Sequence, residues 1–228
     1  MRDVAAKRTR VLEAAATLFA ANGFEQTTLA MVAAKSGAAV GSVIHFFADK
    51  SGLAVAVRER VMERLAAVID QALTTGGSDV NGSAWMAVSA YLNWAHNHPD
   101  DVRGLQELRL VRAPAPSGCR RVPDYRLVLA ALQKWAIPLI EAGVLPPMSP
   151  ADVYAVMIAP AEFAAVARLE NGERHLDAPD LAAVLFGAAC AGLNRLPATT
   201  DVGAPARPSG GRRRYKGGDG PFQGALPI

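Results

Sequence analysis

The four histidines and two cysteines are the residues of this sequence with the widest chemical range. His96 and His98 are two positions apart near a predicted helix end, so they point to different faces and make a poor metal pair. Cys190 falls on the apolar face of a predicted helix, which indicates packing. The sequence has no glycine-rich phosphate loop, G-x-S-x-G motif or triad pattern. We therefore expect no catalytic residues, no metal site, no cofactor and no enzyme.

His45 lies in the segment SGAAVGSVIHFFADKSG, residues 36–52, which is too short to form a hydrophobic core. The flanking stretches have apolar residues at helical spacing. This spacing predicts helices over 4–21, 28–36, 39–46 and 50–73, with Thr27 or Thr28 capping the second and Asp49 capping the fourth. Two short helices joined by a turn at Gly37, beside a longer first helix, describe a helix-turn-helix.

Apolar positions in this region fit a three-helix core, which leaves the other side of the third helix to face DNA. Gly41 has no Cβ, so we expect the third helix to approach its neighbour closely there. The predicted core residues are Leu12, Ala15, Phe19, Phe24, Leu29, Val32, Ala33, Val43 and Phe47.

The rest of the chain also has the pattern of helices, at about 80–97, 100–112, 123–142, 150–170 and 178–195. Ser149 and Asp177 are the expected caps of the last two. No strand alternation persists, so the predicted fold class is all-α. The predicted domains are a helix-turn-helix domain over 1–48, a helical ligand-binding and dimerisation domain over 49–196 reached through the long fourth helix, and a disordered basic tail over 197–228 that is rich in Pro, Gly and Ser.

Charge is distributed unevenly along the chain. Residues 1–58 and 197–228 each carry a net charge of +3, whereas 59–196 carry −3. This asymmetry is typical of a protein in which a basic terminal segment binds a polyanion and the acidic central part has another function. Ordinary variation in charge between helix faces explains it equally well. No apolar run is long enough to span a membrane, no secretory signal is visible and cysteines are few. We therefore expect a cytoplasmic protein without a membrane partner.

The segment RVLEAAATLFAANGFEQTTLAMVAAKSGAAVGSVIHFFADKSGLAVAV resembles the DNA-binding domain of the TetR family of bacterial transcriptional regulators. The matching features are the LF-x-x-x-GF exit from the first helix, the TT start of the second, the x-A-x-x-[SA]-G turn, G-[ST]-[VL] in the third helix and H-F-F-x-x-K-x-x-L before the fourth. The sequence departs from the family pattern at Ala39, Val40 and Ile44, where polar residues and a tyrosine are usual. Ala39 cannot cap the third helix, which costs roughly 1 kcal/mol.

Seven residues of this segment are the candidates for binding double-stranded DNA. Hydroxyl and ammonium groups at helix starts suit phosphate, a serine and a histidine on the third helix suit base edges, and apolar side chains there suit thymine methyl groups. Lys35, Arg8 and Arg10 are expected to add unspecific attraction. The seven candidates are Thr27, Thr28 and Lys50 for phosphate and Val40, Ser42, Ile44 and His45 for the groove.

The resemblance implies that the C-terminal helices bind a small-molecule effector and form a homodimer. Aromatic and long apolar side chains of the central helices are the candidate pocket residues, although such residues are more often core. They are Trp85, Met86, Tyr91, Trp94, Leu108, Leu127, Leu132 and Trp135. The Ala- and Gly-rich helices 150–170 and 178–195 suit close packing in a dimer interface, and burial within the monomer is the alternative.

The predicted function is a ligand-responsive transcriptional regulator, a repressor released from its operator by a small molecule, although an activator is also compatible with the sequence. The alternative is an all-α ligand-binding or interaction protein with weakened or lost specific DNA binding. The apolar residues Ala39, Val40 and Ile44 keep that alternative open.

Overall fold

The fold is all-α, as the sequence predicts. The computed structural model describes residues 2–77, 79–111, 125–173 and 179–195. The helices in these residues are α1 (Arg2–Gln26), α2 (Leu29–Ser36), α3 (Val40–Phe47), α4 (Lys50–Gly76), α5 (Val80–Asn97), α6 (Pro99–Leu108), α7 (Arg126–Glu141), α8 (Pro150–Met157), α9 (Ala159–Glu170) and α10 (Pro179–Arg195).

Three of the helix starts follow their predicted caps. The Thr28 hydroxyl accepts a hydrogen bond from the Met31 amide at α2, and the Asp49 carboxylate accepts one from the Gly52 amide at α4. Ser149 forms a capping box at α8. Ala39 precedes α3 without any side-chain cap, as expected. The predicted caps therefore mark where α2, α4 and α8 begin.

The helix predicted over 150–170 is two helices, so that prediction is wrong. α8 and α9 meet at Ile158 and are bent by 42°. Pro160 has no backbone N–H to donate to the carbonyl one turn earlier, and its ring crowds that carbonyl. The proline thus ends the first helix and starts the second. α6 and α7 are also shorter than predicted, because 109–111 and 125 are described and are not helical. Residues 112–124 lie outside the described residues.

Two hydrophobic clusters share the long helix α4. The first joins α1, α2, α3 and the start of α4, and it includes every predicted core residue, with Phe24 and Leu29 half-buried and the others buried. The second begins at Val61 of α4 and continues through α5 and α7 to α10. α4 therefore carries buried residues of both clusters, with Val57 in the first and Val61 in the second.

The expectation for Gly41 is wrong. A Cβ at this position would meet no atom within 4 Å, because Gly41 lies on the exposed side of α3. The glycine that the backbone does require is Gly23, where α1 is kinked at a φ of 76°. Residues other than glycine rarely adopt this backbone conformation.

The predicted tail over 197–228 and the predicted cap Asp177 lie outside the described residues. Among the described helices, no single one is both long and apolar enough to cross a membrane. Two bent pairs, α2 with α3 and α8 with α9, pass that test together.

Candidate nucleic-acid interface

The turn between α2 and α3 places one face of α3 at the surface. Gly37 ends α2 in the left-handed conformation, with a φ of 68°, and the chain bends by 110° before α3. Val43 and Phe47 are buried against α1, α2 and α4. The opposite face of α3, formed by Val40, Gly41, Ile44 and His45, is exposed, and we call it the outer face.

The outer face is unusually apolar for a surface helix. The side chains of Val40 and Ile44 are 42% and 47% exposed. His45 is exposed beside them, with its ring centroid 5.8 Å from that of Phe46. Such a face offers methyl groups for thymine and one imidazole for hydrogen bonds to base edges.

Basic side chains from α1 lie beside α3. The Lys7 ammonium donates a 3.1 Å hydrogen bond to the Ser42 hydroxyl, and the Arg8 guanidinium lies 5.1 Å from the centre of the Phe47 ring. Positive charges at these places suit phosphates that flank a groove. Lys7 is not among the residues predicted to bind DNA, although it lies in the basic run at 7–10, which is a sequence signal for such a contact.

The two threonines before α2 have different environments. Thr27 is fully buried, and its hydroxyl is placed to donate to the carbonyls of Gly23, at 2.8 Å, and Leu18, at 3.2 Å. Its predicted phosphate contact is therefore wrong for this conformation, because the hydroxyl closes the end of α1. Thr28 is exposed and accepts a hydrogen bond from Met31, so its own hydroxyl proton stays available to a phosphate.

The ammonium of Lys50 is turned toward the end of α1. It donates to the carbonyls of Phe24, at 3.1 Å, and Glu25, at 3.2 Å, and lies 4.3 Å from the centre of the Phe24 ring. Cations at a helix C-terminus are stabilised by the unpaired carbonyls and the helix dipole. Lys50 therefore has a structural role that engages two of its three donors, and one donor remains for a phosphate.

The predicted pocket residues differ in their environments. Leu108 belongs to the cluster around α1–α4, away from the body where we expected it. Tyr91, Trp94 and Leu132 are buried, whereas Leu127 and Trp135 are half-buried. Trp85 and Met86 are 38% and 37% exposed, and Trp85 packs edge-on against Phe186.

A cavity of about 320 Å³ lies between α4 and α7 and is lined by Trp135. No other predicted pocket residue lines it. Within the described ranges, no group of three or more His, Cys, Asp and Glu side chains is placed to hold a metal ion.

Comparisons with known proteins agree with this geometry. Residues 11–57 match the family model described as "Bacterial regulatory proteins, tetR family". No curated protein sequence matches the chain.

Solved structures of such regulators are similar in fold. One is a TetR family transcription regulator from Marinobacter aquaeolei VT8, with a TM-score of 0.67, 16% identity and coverage of 85% of this chain and 98% of that chain. A TetR-family regulator from Streptomyces coelicolor has a TM-score of 0.60, 22% identity and coverage of 85% and 99%. FadR from Bacillus subtilis, solved in complex with stearoyl-CoA, has a TM-score of 0.61, 12% identity and coverage of 82% and 98%.

Proposed function

We propose that the protein is a ligand-responsive transcriptional repressor, because residues 11–57 match the family model of the tetR bacterial regulatory proteins. It binds operator DNA as a homodimer in the cytoplasm, and a small molecule in the helical body releases it. It has no catalytic role.

The observation that carries the proposal is the outer face of α3. Val40, Ile44 and His45 are exposed on a helix whose opposite face is buried in the first cluster. Lys7 and Arg8 add positive charge at its side. An exposed helix face of this size with flanking cations is what major-groove recognition requires.

Exposed side chains of the last two helices support a homodimer. Phe163 of α9 is 76% exposed and Val184 of α10 is 70% exposed. Gly187, Ala188 and Ala191 are exposed within two turns of Val184, so a partner helix can approach closely. In such a dimer, two α3 helices would meet half-sites about one helical turn of DNA, or a multiple of it, apart.

An effector changes DNA binding only if it has different affinities for two conformations of the dimer. Couplings of about 1–3 kcal/mol are typical. α4 supports transmission of such a change, because its residues contribute to both hydrophobic clusters. FadR from Bacillus subtilis holds stearoyl-CoA, but the likeness to it concerns fold alone.

A second candidate function is ligand binding with weak or lost operator recognition. Two observations favour it: α3 begins at Ala39 without a side-chain cap, and the Lys50 ammonium is engaged by α1. Both would reduce the affinity for DNA, through a less stable recognition helix and a weaker phosphate contact.

Fluorescence anisotropy distinguishes the two candidates. The purified protein is titrated with DNA from directly upstream of its own gene and with a scrambled fragment, across a salt series. The repressor predicts a preference of about a thousandfold or more for the native fragment. Lys7→Ala should lower the salt slope by about one unit, and Lys134→Ala should leave it unchanged. Equal affinity for the two fragments would contradict regulation of its own promoter and favour the second candidate.

A further inference from the structure

The outer face of α3 has few hydrogen-bonding groups with which to read a base sequence. His45 has the one polar side chain of this face, whose other residues are two branched apolar ones and a glycine. Ser42 of the same helix is half-buried, and its hydroxyl accepts a hydrogen bond from the Lys7 ammonium at 3.1 Å. Polar side chains that bond to base edges are a main source of sequence specificity in the major groove. On this helix, Val40 and Ile44 can contribute only by apolar contact.

Val40 and Ile44 form a continuous apolar strip along the outer face. They are four residues apart, so their side chains are neighbours on successive turns of the helix, with Cβ atoms about 5–6 Å apart. Both are large apolar side chains that remain exposed in the folded chain. Apolar surface of this kind is stabilised when a partner removes it from water. The partner that fits the strip therefore presents apolar groups of its own.

Gly41 leaves space for that partner beside the strip. It lies on the outer face, and a Cβ at this position would meet no atom of the protein within 4 Å. Because glycine leaves the space open, a base edge can approach the backbone of α3 closely. In this space the base edge would be within reach of Ile44, one turn further along the helix.

The charge around the outer face fits a DNA duplex as the partner. α2 and α3 contain no Asp or Glu. The Lys7 ammonium and the Arg8 guanidinium lie beside α3, and Lys35 is exposed in the last turn of α2. In the major groove, phosphates flank base edges whose apolar group is the methyl at C5 of thymine. An apolar strip with cations beside it is complementary to that arrangement.

From these observations we infer that α3 recognises the C5-methyl group of pyrimidines as such. The protein then accepts 5-methylcytosine in place of thymine, and cytosine methylation strengthens its binding to DNA. Thymine and 5-methylcytosine present this methyl group at the same place in the major groove, whereas uracil and cytosine lack it. Burial of one methyl group should change the affinity about fourfold. The inference rests on the proposed function, since it specifies which DNA the outer face recognises.

Duplexes that differ only in methyl groups test the inference. Selection from random DNA with the full chain first supplies a bound site, whose half-sites should contain thymine. Deoxyuridine then replaces thymine at one position in each half-site, and fluorescence anisotropy measures the affinity. At the position that α3 contacts, loss of the two methyl groups should lower the affinity about fifteenfold. A selected site without thymine, or no position at which deoxyuridine weakens binding, would overturn the inference.

Methylated cytosine is the second arm of the test. At the position that responds to deoxyuridine, a pair of 5-methylcytosine with guanine replaces the thymine pair in both half-sites. It should bind about fifteenfold more tightly than the unmethylated cytosine pair at the same position. Equal affinities of the methylated and unmethylated duplexes would overturn the inference.

A double variant of α3 assigns the methyl contact to the strip. Val40→Ala combined with Ile44→Ala shortens both side chains and should reduce the preference for thymine over uracil to about twofold or less. Val144→Ala, at another exposed apolar position, should retain the full preference. Low salt strengthens the phosphate contacts and keeps weak binding measurable, and circular dichroism checks the folding of both variants. An unchanged preference in the double variant would overturn the inference.

The inference and the proposed function fail in different ways. If the protein selects a specific site whose affinity does not respond to methyl groups, the inference falls and the proposed function stands. If the protein selects no sequence at all, both are contradicted.

Discussion

The guanidinium of Arg58 on α4 donates a 2.6 Å hydrogen bond to the backbone carbonyl of Leu108 at the end of α6. The same nitrogen donates to the carbonyl of Val111 at 3.0 Å. Arg58 is 6% exposed, and the Leu108 side chain is buried in the cluster that α1–α4 form. The end of α6 is therefore attached to the DNA-binding domain both by hydrogen bonds and by apolar packing.

Replacing Arg58 with methionine should destabilise the protein by about 2 kcal/mol. Methionine retains much of the apolar stem but leaves the carbonyls of Leu108 and Val111 without this donor. Chemical denaturation followed by circular dichroism measures the change in the free energy of unfolding.

Arg60→Met is the matched control, two residues along the same helix. Arg60 forms an exposed ion pair with Glu13, so its loss should change the free energy of unfolding by less than about 1 kcal/mol. Equal effects of the two substitutions would show that the buried contact to α6 contributes no more to the free energy of unfolding than an exposed ion pair does.

Ala39→Ser should stabilise the DNA-binding domain by about 1 kcal/mol. Ala39 has the extended backbone of an N-cap residue, with a φ of −74° and a ψ of 145°, but its side chain cannot accept a hydrogen bond from α3. Ala34→Ser, at an exposed position inside α2, should instead lower the free energy of unfolding by roughly 0.5 kcal/mol, because serine has a lower helix propensity than alanine. Thermal unfolding of the two variants should shift in opposite directions; a shared direction would refute the capping argument.

Ala48→Gly should also stabilise the protein, by about 1 kcal/mol. Ala48 has a φ of 65° and a ψ of −57° in the turn between α3 and α4, where the Asp49 amide donates to the Phe47 carbonyl. Residues with a Cβ are strained in this conformation, whereas glycine is not. The gain in native-state energy should exceed the entropy that glycine adds to the unfolded chain.

The control for Ala48→Gly is Ala142→Gly, at the exposed end of α7. Ala142 has a φ of −78°, which alanine adopts without strain, so this variant should lose stability. Differential scanning calorimetry gives the midpoint temperature of unfolding of both variants. A lower midpoint for Ala48→Gly than for the wild type would mean that the turn is not strained.

The capping box at α8 should make the stability of the protein depend on pH in the acidic range. Hydrogen bonds from the side chain and backbone of Ser149 hold the pKa of Asp152 below its usual value of 3.8. A lowered pKa means that the ionised carboxylate stabilises the fold above pH 3.8, and that this contribution is lost as pH falls through the folded pKa. Wild type should therefore be more stable than Asp152→Asn at pH values near neutrality, and the difference should shrink in acid. Urea denaturation at several pH values measures it; a pH-independent difference would contradict the assignment.

Local signals in the sequence predicted much of the fold. Caps such as Thr28, Asp49 and Ser149 act within three residues, and apolar spacing identifies the buried side of each helix. The break at Ile158 is not visible in the apolar spacing, because apolar residues continue through Pro160. A proline inside such a pattern is itself a breaker signal.

The candidate site was only partly predictable, since it depends on contacts between residues far apart in the chain. Thr27 and Thr28 are adjacent residues of the same type, yet one is buried against α1 and the other is exposed. Lys50 reaches carbonyls that lie 25 and 26 residues earlier. Spacing along one helix contains no information about such partners.

Selection of bound sequences from random DNA tests the central claim most directly, because it requires no knowledge of the operator. The wild-type protein should enrich a palindromic site with half-sites about one helical turn, or a multiple of it, apart. Ile44→Asp, which places a negative charge on the outer face of α3, should abolish the enrichment, while Val144→Asp, at another exposed apolar position, should retain it. Failure of the wild-type protein to enrich any sequence, or enrichment that survives Ile44→Asp, would contradict recognition of DNA by α3.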